Sequence, residues 1–346
     1  MASAAWRTAP ASGVRYAEAM LRLLTPLLLA VLLGCGVPPE REALPIGPER
    51  FIVDVPTGEV LSAREAAERL GDVRHVYVGE QHTSELHHRV QLEVLRTLAA
   101  AGVDLAVGVE WLPASSQPIL DDYLAGRIEE PGLVQRLDWK HIWGHDFANY
   151  APLLRWAREA GVPMWALNAP AGLSARVAQV GVAGLTEGQR KALPPLDTGN
   201  EAHREFFRMM MAQNAGHGHH QHRHQHGHGQ DQAPALDPAA LERYYLAQLV
   251  WDESMSRNLA ARLASPEGKG KTVVVLAGLG HVDHGHGIPL RAKKLTGLDF
   301  AIVLPVENGT MADQHHLLRR KGYPEQRADL LWEAPMVGGT VTSAHR

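Results

Sequence analysis

Four segments of the sequence end an apolar run with side chains that can exchange protons or coordinate an ion. They are Gly79-Glu80-Gln81-His82, Glu110-Trp111, Asn168 and Gly278-Leu279-Gly280-His281. Neutral imidazole with carboxylate is a ligand set for Zn²⁺, Mn²⁺ or non-haem iron. Without a metal, the same pair supplies a general base and the acid that orients it. The candidate catalytic residues, and equally the candidate metal ligands, are Glu80, His82, Glu110 and His281.

The apolar runs before these residues are typical of the buried strands of a parallel sheet. Predicted strands cover 74–80, 105–111, 162–168, 271–281 and 298–306, after a hairpin at 51–55 and 59–62. Helical patterns occupy 63–70, 84–101, 114–126 and 146–161. The alternation predicts an α/β fold, a mostly parallel sheet flanked by helices. A smaller helical insert or cap is predicted over 172–264, where strand signals are absent and a long helix covers 238–264.

The predicted topology should bring the candidate residues together. In an open parallel sheet, ligands bind beyond the carboxyl ends of the strands, and all four residues follow such ends. Each Gly-x-x-His segment begins with a glycine that permits a sharp exit turn. A structural polar network is the alternative, since a single Glu at a strand end is usually a helix cap. The meeting of all four candidate residues at one edge of the sheet favours a functional site over a structural polar network.

Three further histidines are candidate cofactor ligands near this edge. At about 100° per residue, His87 falls within an apolar stripe of the helix at 84–101, so it should face inward. A core histidine bonded to a backbone carbonyl is the alternative for His87. His88 lies about a quarter-turn away, where a surface position is expected. His284 follows the fourth strand, close to His281.

The N-terminus has the pattern of a bacterial lipoprotein signal. An 11-residue apolar run at 23–33 follows basic residues, and it is shorter than the roughly 20 residues that span a membrane. It ends in Leu32-Leu33-Gly34-Cys35, so Cys35 is the predicted lipidation site. We expect a signal peptide at 1–34, a tether at 35–50, one domain at 51–335 and a tail at 336–346. Met20 is an alternative start to Met1, and Gly36 favours the outer membrane of the envelope.

Composition narrows the chemistry further. Cys35 is the only cysteine, so once it is lipid-modified no thiol is left for a disulfide or a thiolate metal site. Any metal must then bind His, Asp, Glu or Tyr. The net charge is −4, so the sequence lacks the excess of basic residues with which nucleic-acid-binding proteins contact phosphates.

A His-rich segment interrupts the predicted helical insert at 217–229. Its Gly, Gln and His content cannot build a core, which predicts a flexible loop. We expect weak capture of divalent metal or haem, the alternative being a solvated loop with incidental affinity. The candidate ligands in it are His217, His219, His220, His222, His224, His226 and His228.

Several stretches together resemble the ChaN family of haem-binding lipoproteins. They are YVGEQHTSELHHRVQ (77–91), GVEWLPASSQPILDDYLAG (108–126), the segment 143–168, LAQLVWDESM (246–255), VLAGLGHVDHGHGIPLR (275–291) and ADLLW (328–332). The resemblance covers about 51–335. It implies an α/β domain with a smaller helical part, lipid anchoring, and haem bound by a homodimer. Members of that family bind haem through a tyrosine, and the resemblance implies that Tyr150 is the corresponding residue here.

The resemblance extends to a wider superfamily, which includes Tiki-type metalloproteases and erythromycin esterases. It places Glu80, His82, Glu110 and His281 in the Gly-x-x-His and Glu site that these proteins share. The His-rich segment departs from the family pattern.

Three hypotheses follow from these observations. The leading one is a lipid-anchored envelope protein that binds haem between two subunits for iron uptake. The second is a hydrolase of esters or peptides, in which the same four residues hold a divalent metal or activate water directly. The third is a divalent-metal-binding protein that relies on the His-rich segment.

Overall fold

The computed structural model describes residues 51–217, 237–306 and 326–333. These ranges contain one eight-stranded sheet. The strands are β1 (Ile52–Asp54), β2 (Val60–Leu61), β3 (His75–Glu80), β4 (Leu105–Pro113), β5 (Met164–Asn168), β6 (Thr272–Gly278), β7 (Phe300–Val306) and β8 (Leu330–Glu333). A strand is present at each position predicted from an apolar run, but the strand predicted over 271–281 ends at Gly278, and residues 279–281 belong to a short helix instead. The strand β8 is an additional short strand.

Helices cover both faces of this sheet. They are α1 (Ala63–Gly71), α2 (Glu85–Ala100), α3 (Gln117–Leu124), α4 (Glu130–Leu137), α5 (Trp139–Ile142), α6 (Phe147–Ala160), α7 (Leu173–Val180), α8 (Glu187–Lys191), α9 (Glu201–His217), α10 (Pro238–Ala264), α11 (Leu279–Val282) and α12 (Ile288–Thr296). Within the described ranges, none of them combines the length and apolar character needed to cross a bilayer.

The sheet order is β2-β1-β8-β7-β3-β6-β4-β5. Every pairing from β8 to β5 is parallel, and only the pairings of β1 with β2 and with β8 are antiparallel. The predicted α/β fold with a mostly parallel sheet is therefore confirmed. Because the central strands run in one direction, their carboxyl ends meet at one edge.

Side chains alternate between the two faces of each strand, so each face carries its own core. Val76 and Val78 of β3 pack on the face covered by α2 and α6. Tyr77, between them, belongs to the opposite face, which the C-terminal part of α10 covers with Met255 and Leu259. Long apolar strands such as 272–278 are buried on both sides as a result.

The predicted helical insert at 172–264 contains α7 to α10. Its helices form a smaller apolar cluster of their own, in which Leu173 and Val177 of α7 pack against Val250 of α10. The same α10 continues over the sheet, where Leu259 is fully buried. The helix α10 therefore belongs both to the apolar cluster of the insert and to the main core.

Local sequence signals account for the helix bounds. Ser84 precedes α2, and its hydroxyl accepts a hydrogen bond from the His87 backbone N–H at 3.3 Å. Asp237 caps α10 in the same way, and Pro238 occupies the first turn, where its missing N–H costs nothing. Gly161 ends α6 with a left-handed φ of 67°.

Candidate functional site

Strand register places the two predicted carboxylates beside the end of β6. Glu80 is paired with Gly278, the last residue of β6, and Glu110 follows Val109, which is paired with Leu276. A cavity of about 720 Å³ opens at this edge. All four predicted site residues, Glu80, His82, Glu110 and His281, line it. The structure therefore brings together the residues that the sequence placed after separate strands.

Glu80 lies at the centre of a hydrogen-bonded group that we call the Glu80 cluster (Glu80, His82, His88, Gln91 and Tyr150). His82 Nδ1 lies 2.8 Å from Glu80 Oε1, and the Gln91 amide donates to Oε2 at 2.8 Å. His88 Nδ1 is 3.3 Å from the same Oε2. Glu80 is 2% exposed, so these contacts replace the water that the carboxylate has lost.

Tyr150 belongs to this cluster as a support for the carboxylate. Its hydroxyl donates to Glu80 Oε1 at 3.2 Å, and its ring is fully buried between Trp111 and His88. Burial, followed by the nearby Glu80 charge, raises the pKa of Tyr150 well above its usual value. Tyr150 does not line the cavity. Its placement therefore gives no support to the predicted role as a haem ligand.

A second group, the Glu110 cluster, contains Glu110, His281, Asp252 and Gln248. His281 lies between two carboxylates, with Nε2 3.2 Å from Glu110 Oε1 and Nδ1 2.6 Å from Asp252 Oδ1. Glu110 Oε2 also accepts the Gly278 backbone N–H at 2.5 Å. The Gln248 amide donates to the Gly280 carbonyl at 3.2 Å. His281 is thereby fixed from both ring nitrogens.

The two clusters lie on opposite faces of the sheet. Glu80 follows the inward positions Val76 and Val78, on the face of α2 and α6. Glu110 shares the face of Ala106, which α10 covers. Each carboxylate therefore takes its partners from a different helical layer, and the cavity lies across the sheet edge between them.

The pKa values follow from this pairing. Burial by itself would raise the pKa of Glu80, but the hydrogen bonds of His82 and His88 lower it to about 2. Burial would lower the pKa of His281, but Glu110 and Asp252 outweigh it and raise the pKa to about 10. For His82, burial is again outweighed, chiefly by the hydrogen bond to Glu80, and the pKa is raised. His281 is therefore cationic at neutral pH.

Because Gly278 has no side chain, the side chains of His82 and Glu110 can approach each other beside it. A Cβ atom at this position would lie 2.8 Å from His82 Cε1, 3.2 Å from His82 Nε2 and 3.4 Å from Glu110 Oε2. Any side chain would therefore displace the His82 imidazole. The ring edge that carries Nε2 lies against this glycine, and His82 keeps about a third of its side chain exposed (31%).

Aromatic and apolar side chains complete the cavity wall. Trp143 lies edge-on to His82 with ring centroids 4.8 Å apart, and His145 lies 5.0 Å from the same ring. Trp251 of α10 lies edge-on to His281 at 5.9 Å and is 37% exposed. Other wall residues include Ile142, Phe206 and Met210. The cavity therefore joins charged pairs to broad apolar surfaces.

The other predicted ligands lie away from the cavity wall. His87 is 4% exposed, as its place in the apolar stripe predicted, and its Nδ1 accepts the Gln81 backbone N–H at 2.9 Å. The expected surface position of His88 is wrong: it is 3% exposed, because the first turn of α2 covers the end of β3. His284 is buried beside Phe206 and His286 and does not line the cavity.

Some sequence predictions concern residues outside the described ranges. These are the signal peptide, the tether, Cys35, the tail and the histidines from His219 to His228. His217 is the last residue of α9. The metal-binding prediction for the His-rich segment stays a prediction.

Sequence reasoning missed the residues that helices bring to the site. Asp252, Gln248 and Trp251 come from α10, and Gln91 comes from α2. The signal for Asp252 was present, because an acidic residue stands in the apolar run Leu249-Val250-Trp251-Asp252. Trp143 and His145 follow α5 in an irregular segment, where no periodicity marks them.

The described residues contain no group of three or more His, Cys, Asp or Glu side chains arranged to hold a metal ion. The carboxylates Glu80 and Glu110 are hydrogen-bonded to imidazoles instead. The predicted role of Glu80, His82, Glu110 and His281 as a shared metal site is therefore not supported by this arrangement.

Fold and site together define an α/β protein with a cavity of paired acids and imidazoles at the carboxyl edge of a parallel sheet. The family model described as "Haem-binding uptake, Tiki superfamily, ChaN" matches residues 66–292, more than half of the chain. The chain belongs to this family.

Known proteins resemble the chain over most of its length. The solved structure described as "Cofacial heme binding to ChaN of Campylobacter jejuni" has a TM-score of 0.57 at 16% identity, covering 83% of this chain and 97% of that one. A mutant of the erythromycin esterase EreC in its open conformation has a TM-score of 0.40 at 13% identity and covers 75% and 77%. Protein RETICULATA-RELATED 5, chloroplastic, of Arabidopsis thaliana is 27% identical over 278 residues. The match covers 77% of this chain, which spans only about a third (34%) of that curated relative.

The raised pKa of His281 predicts an alkaline loss of stability. Its folded pKa of about 10 lies above the ordinary value of 6.5. Its contribution to the free energy of unfolding is therefore fully present below about pH 6.5 and is lost as pH rises through about 10. Denaturant unfolding between pH 6.5 and 10 should show this decline for the wild type.

His281→Gln should remove this component, and exposed His141→Gln should leave the wild-type decline in place. Equal pH dependence in wild type and His281→Gln would contradict the assignment.

Proposed function

We propose that this protein binds haem in the cavity at the sheet edge. The observation that carries the proposal is the pairing of His82, whose Nδ1 faces Glu80 at 2.8 Å while the residue lines the cavity and keeps about a third of its side chain exposed (31%). When Nδ1 donates its proton to a carboxylate, Nε2 carries the lone pair that can bind iron. Membership of a haem-binding family supports the proposal independently.

The residues of the cavity fit this group. Its volume of about 720 Å³ lies within the range of roughly 300–1,000 Å³ that small-molecule and cofactor sites occupy. Imidazole is a common axial ligand of haem, and Trp143 and Phe206 offer apolar surface to a macrocycle. His82 is the better placed ligand, because the Tyr150 hydroxyl is buried and donates to Glu80. Bound haem would supply the iron for an uptake route.

Haemin titration tests this proposal. The wild type should give a saturable Soret shift, and His82→Ala should weaken haemin binding by at least about tenfold, because an axial imidazole is lost. Tyr150→Phe should change the affinity by less than about threefold, since it removes only a hydrogen bond within the Glu80 cluster.

Absence of saturable binding by the wild type would overturn the proposal. A greater loss with Tyr150→Phe than with His82→Ala would return the axial role to the tyrosine.

We propose hydrolysis of esters or peptides as a second candidate function. The observation that favours it is the contrast between the two imidazoles of the cavity. His281 is held cationic between Glu110 and Asp252, whereas His82 is bonded to one carboxylate and is partly exposed. An imidazole enclosed by two carboxylates and one that is partly exposed can take different roles at one site. His82 would take a proton from water, and cationic His281 would stabilise developing negative charge.

A screen of generic esters and peptides tests the hydrolase. The double variant His82→Ala/His281→Ala should lose at least about a hundredfold in rate, since general base catalysis alone contributes about 10²–10⁴-fold. The single variant His87→Ala, outside the cavity wall, serves as the control. Turnover that is equal in the wild type and the double variant would dispose of this candidate.

We further propose that the protein is anchored to the cell envelope, with the outer membrane favoured, through a lipid on Cys35. The apolar run at 23–33 followed by Leu32-Leu33-Gly34-Cys35 supports this. Multiple acyl chains hold a protein stably on a membrane.

Cys35→Ser should move the protein from the membrane fraction to the soluble envelope fraction and abolish labelling by a radioactive fatty acid. Labelling and fractionation unchanged by Cys35→Ser would refute the anchor.

A further inference from the structure

The first turn of α7 forms part of the cavity wall. Gly172, Ser174 and Ala175 line the cavity just beyond the end of β5. Gly172 is the N-cap residue, with a left-handed φ of 74° and no side chain to cap the helix. The positive end of the α7 dipole is therefore not neutralised by a capping side chain.

Two backbone N–H groups of this turn lack a backbone acceptor among the described residues. Leu173 N–H donates to the Pro170 carbonyl at 3.1 Å, and the Arg176 N–H makes the first regular helical bond, to Gly172 at 2.9 Å. The N–H groups of Ser174 and Ala175, which lie between them, are the donors that a helix start leaves for a cap or a ligand. No Asp, Ser, Thr or Asn precedes them at the N-cap to take that role.

The hydroxyl of Ser174 is the second observation. Ser174 is 3% exposed, and its Oγ has no hydrogen-bond partner among the described residues. Buried hydroxyls are normally paired, so an unpaired one next to a cavity indicates a partner that binds there. The hydroxyl lies on the same turn as the uncapped N–H groups.

We propose that the start of α7 is a subsite for a carboxylate group of the bound ligand, received by the Ser174 and Ala175 N–H groups and the Ser174 hydroxyl. Helix starts bind anions through their N–H groups and dipole. The identification of that carboxylate as a haem propionate rests on the proposed function. The subsite itself depends only on the hydrogen-bond donors at the start of α7.

Sodium propionate is the simplest probe. In the isotope-labelled protein, propionate should cause saturable shifts of the Ser174 and Ala175 amide resonances, and neutral propionamide should not. Ser174→Ala should weaken propionate binding by about threefold or more, because it removes one donor group. Ser116→Ala, at a buried serine that does not line the cavity, is the matched control and should leave propionate binding unchanged.

Three outcomes overturn the subsite: no propionate shift, equal shifts with propionamide, or saturation by inorganic phosphate but not by propionate. Haemin and its dimethyl ester then test the ligand. Ser174→Ala should weaken haemin binding about threefold or more and leave the ester unaffected. Equal binding of haemin and ester overturns the propionate assignment while haem binding stands. Propionate binding without any haemin binding supports the subsite and overturns the proposed function.

Discussion

The site depends on one constraint: two carboxylates are buried at the end of a parallel sheet, and each must be paired. An unpaired buried charge is costly, because the interior cannot replace its hydration. Glu80 is 2% exposed and Glu110 5%. Each is therefore bonded to an imidazole, His82 in one case and His281 in the other. The helices that pack on the two faces of the sheet supply the remaining partners.

The two pairs differ because each takes its further partners from a different face of the sheet. On one face, α2 and α6 close over Glu80 with an amide, an imidazole and a phenol, and this leaves His82 at the cavity. On the other face, α10 adds Asp252, so His281 is held between two anions. The same residue type thus has two roles: His281 is a fixed cation, and His82 is an accessible imidazole with an oriented ring.

An oriented imidazole at the wall of a cavity suits both proposed functions. For haem it offers a nitrogen lone pair, and for hydrolysis it offers a base beside a fixed positive charge. The description of the family to which the chain belongs is haem-binding uptake. This favours haem binding over hydrolysis. The start of α7 adds donors for an anionic group at the same cavity, and they are compatible with either ligand class.

The sequence by itself determined the strand ends. The ends of the apolar runs located Glu80, His82, Glu110 and His281, because parallel strands must deliver their carboxyl ends to one edge. Only the tertiary structure decided their partners. Asp252 lies more than a hundred residues from Glu110, and helical periodicity cannot tell which polar residue of a buried face meets a charge. His88 and Tyr150 illustrate this. The periodicity of α2 predicted an exposed His88, yet both residues pack inward and contact Glu80. A buried carboxylate is normally hydrogen-bonded, and these are the donors that the neighbouring helices place beside it.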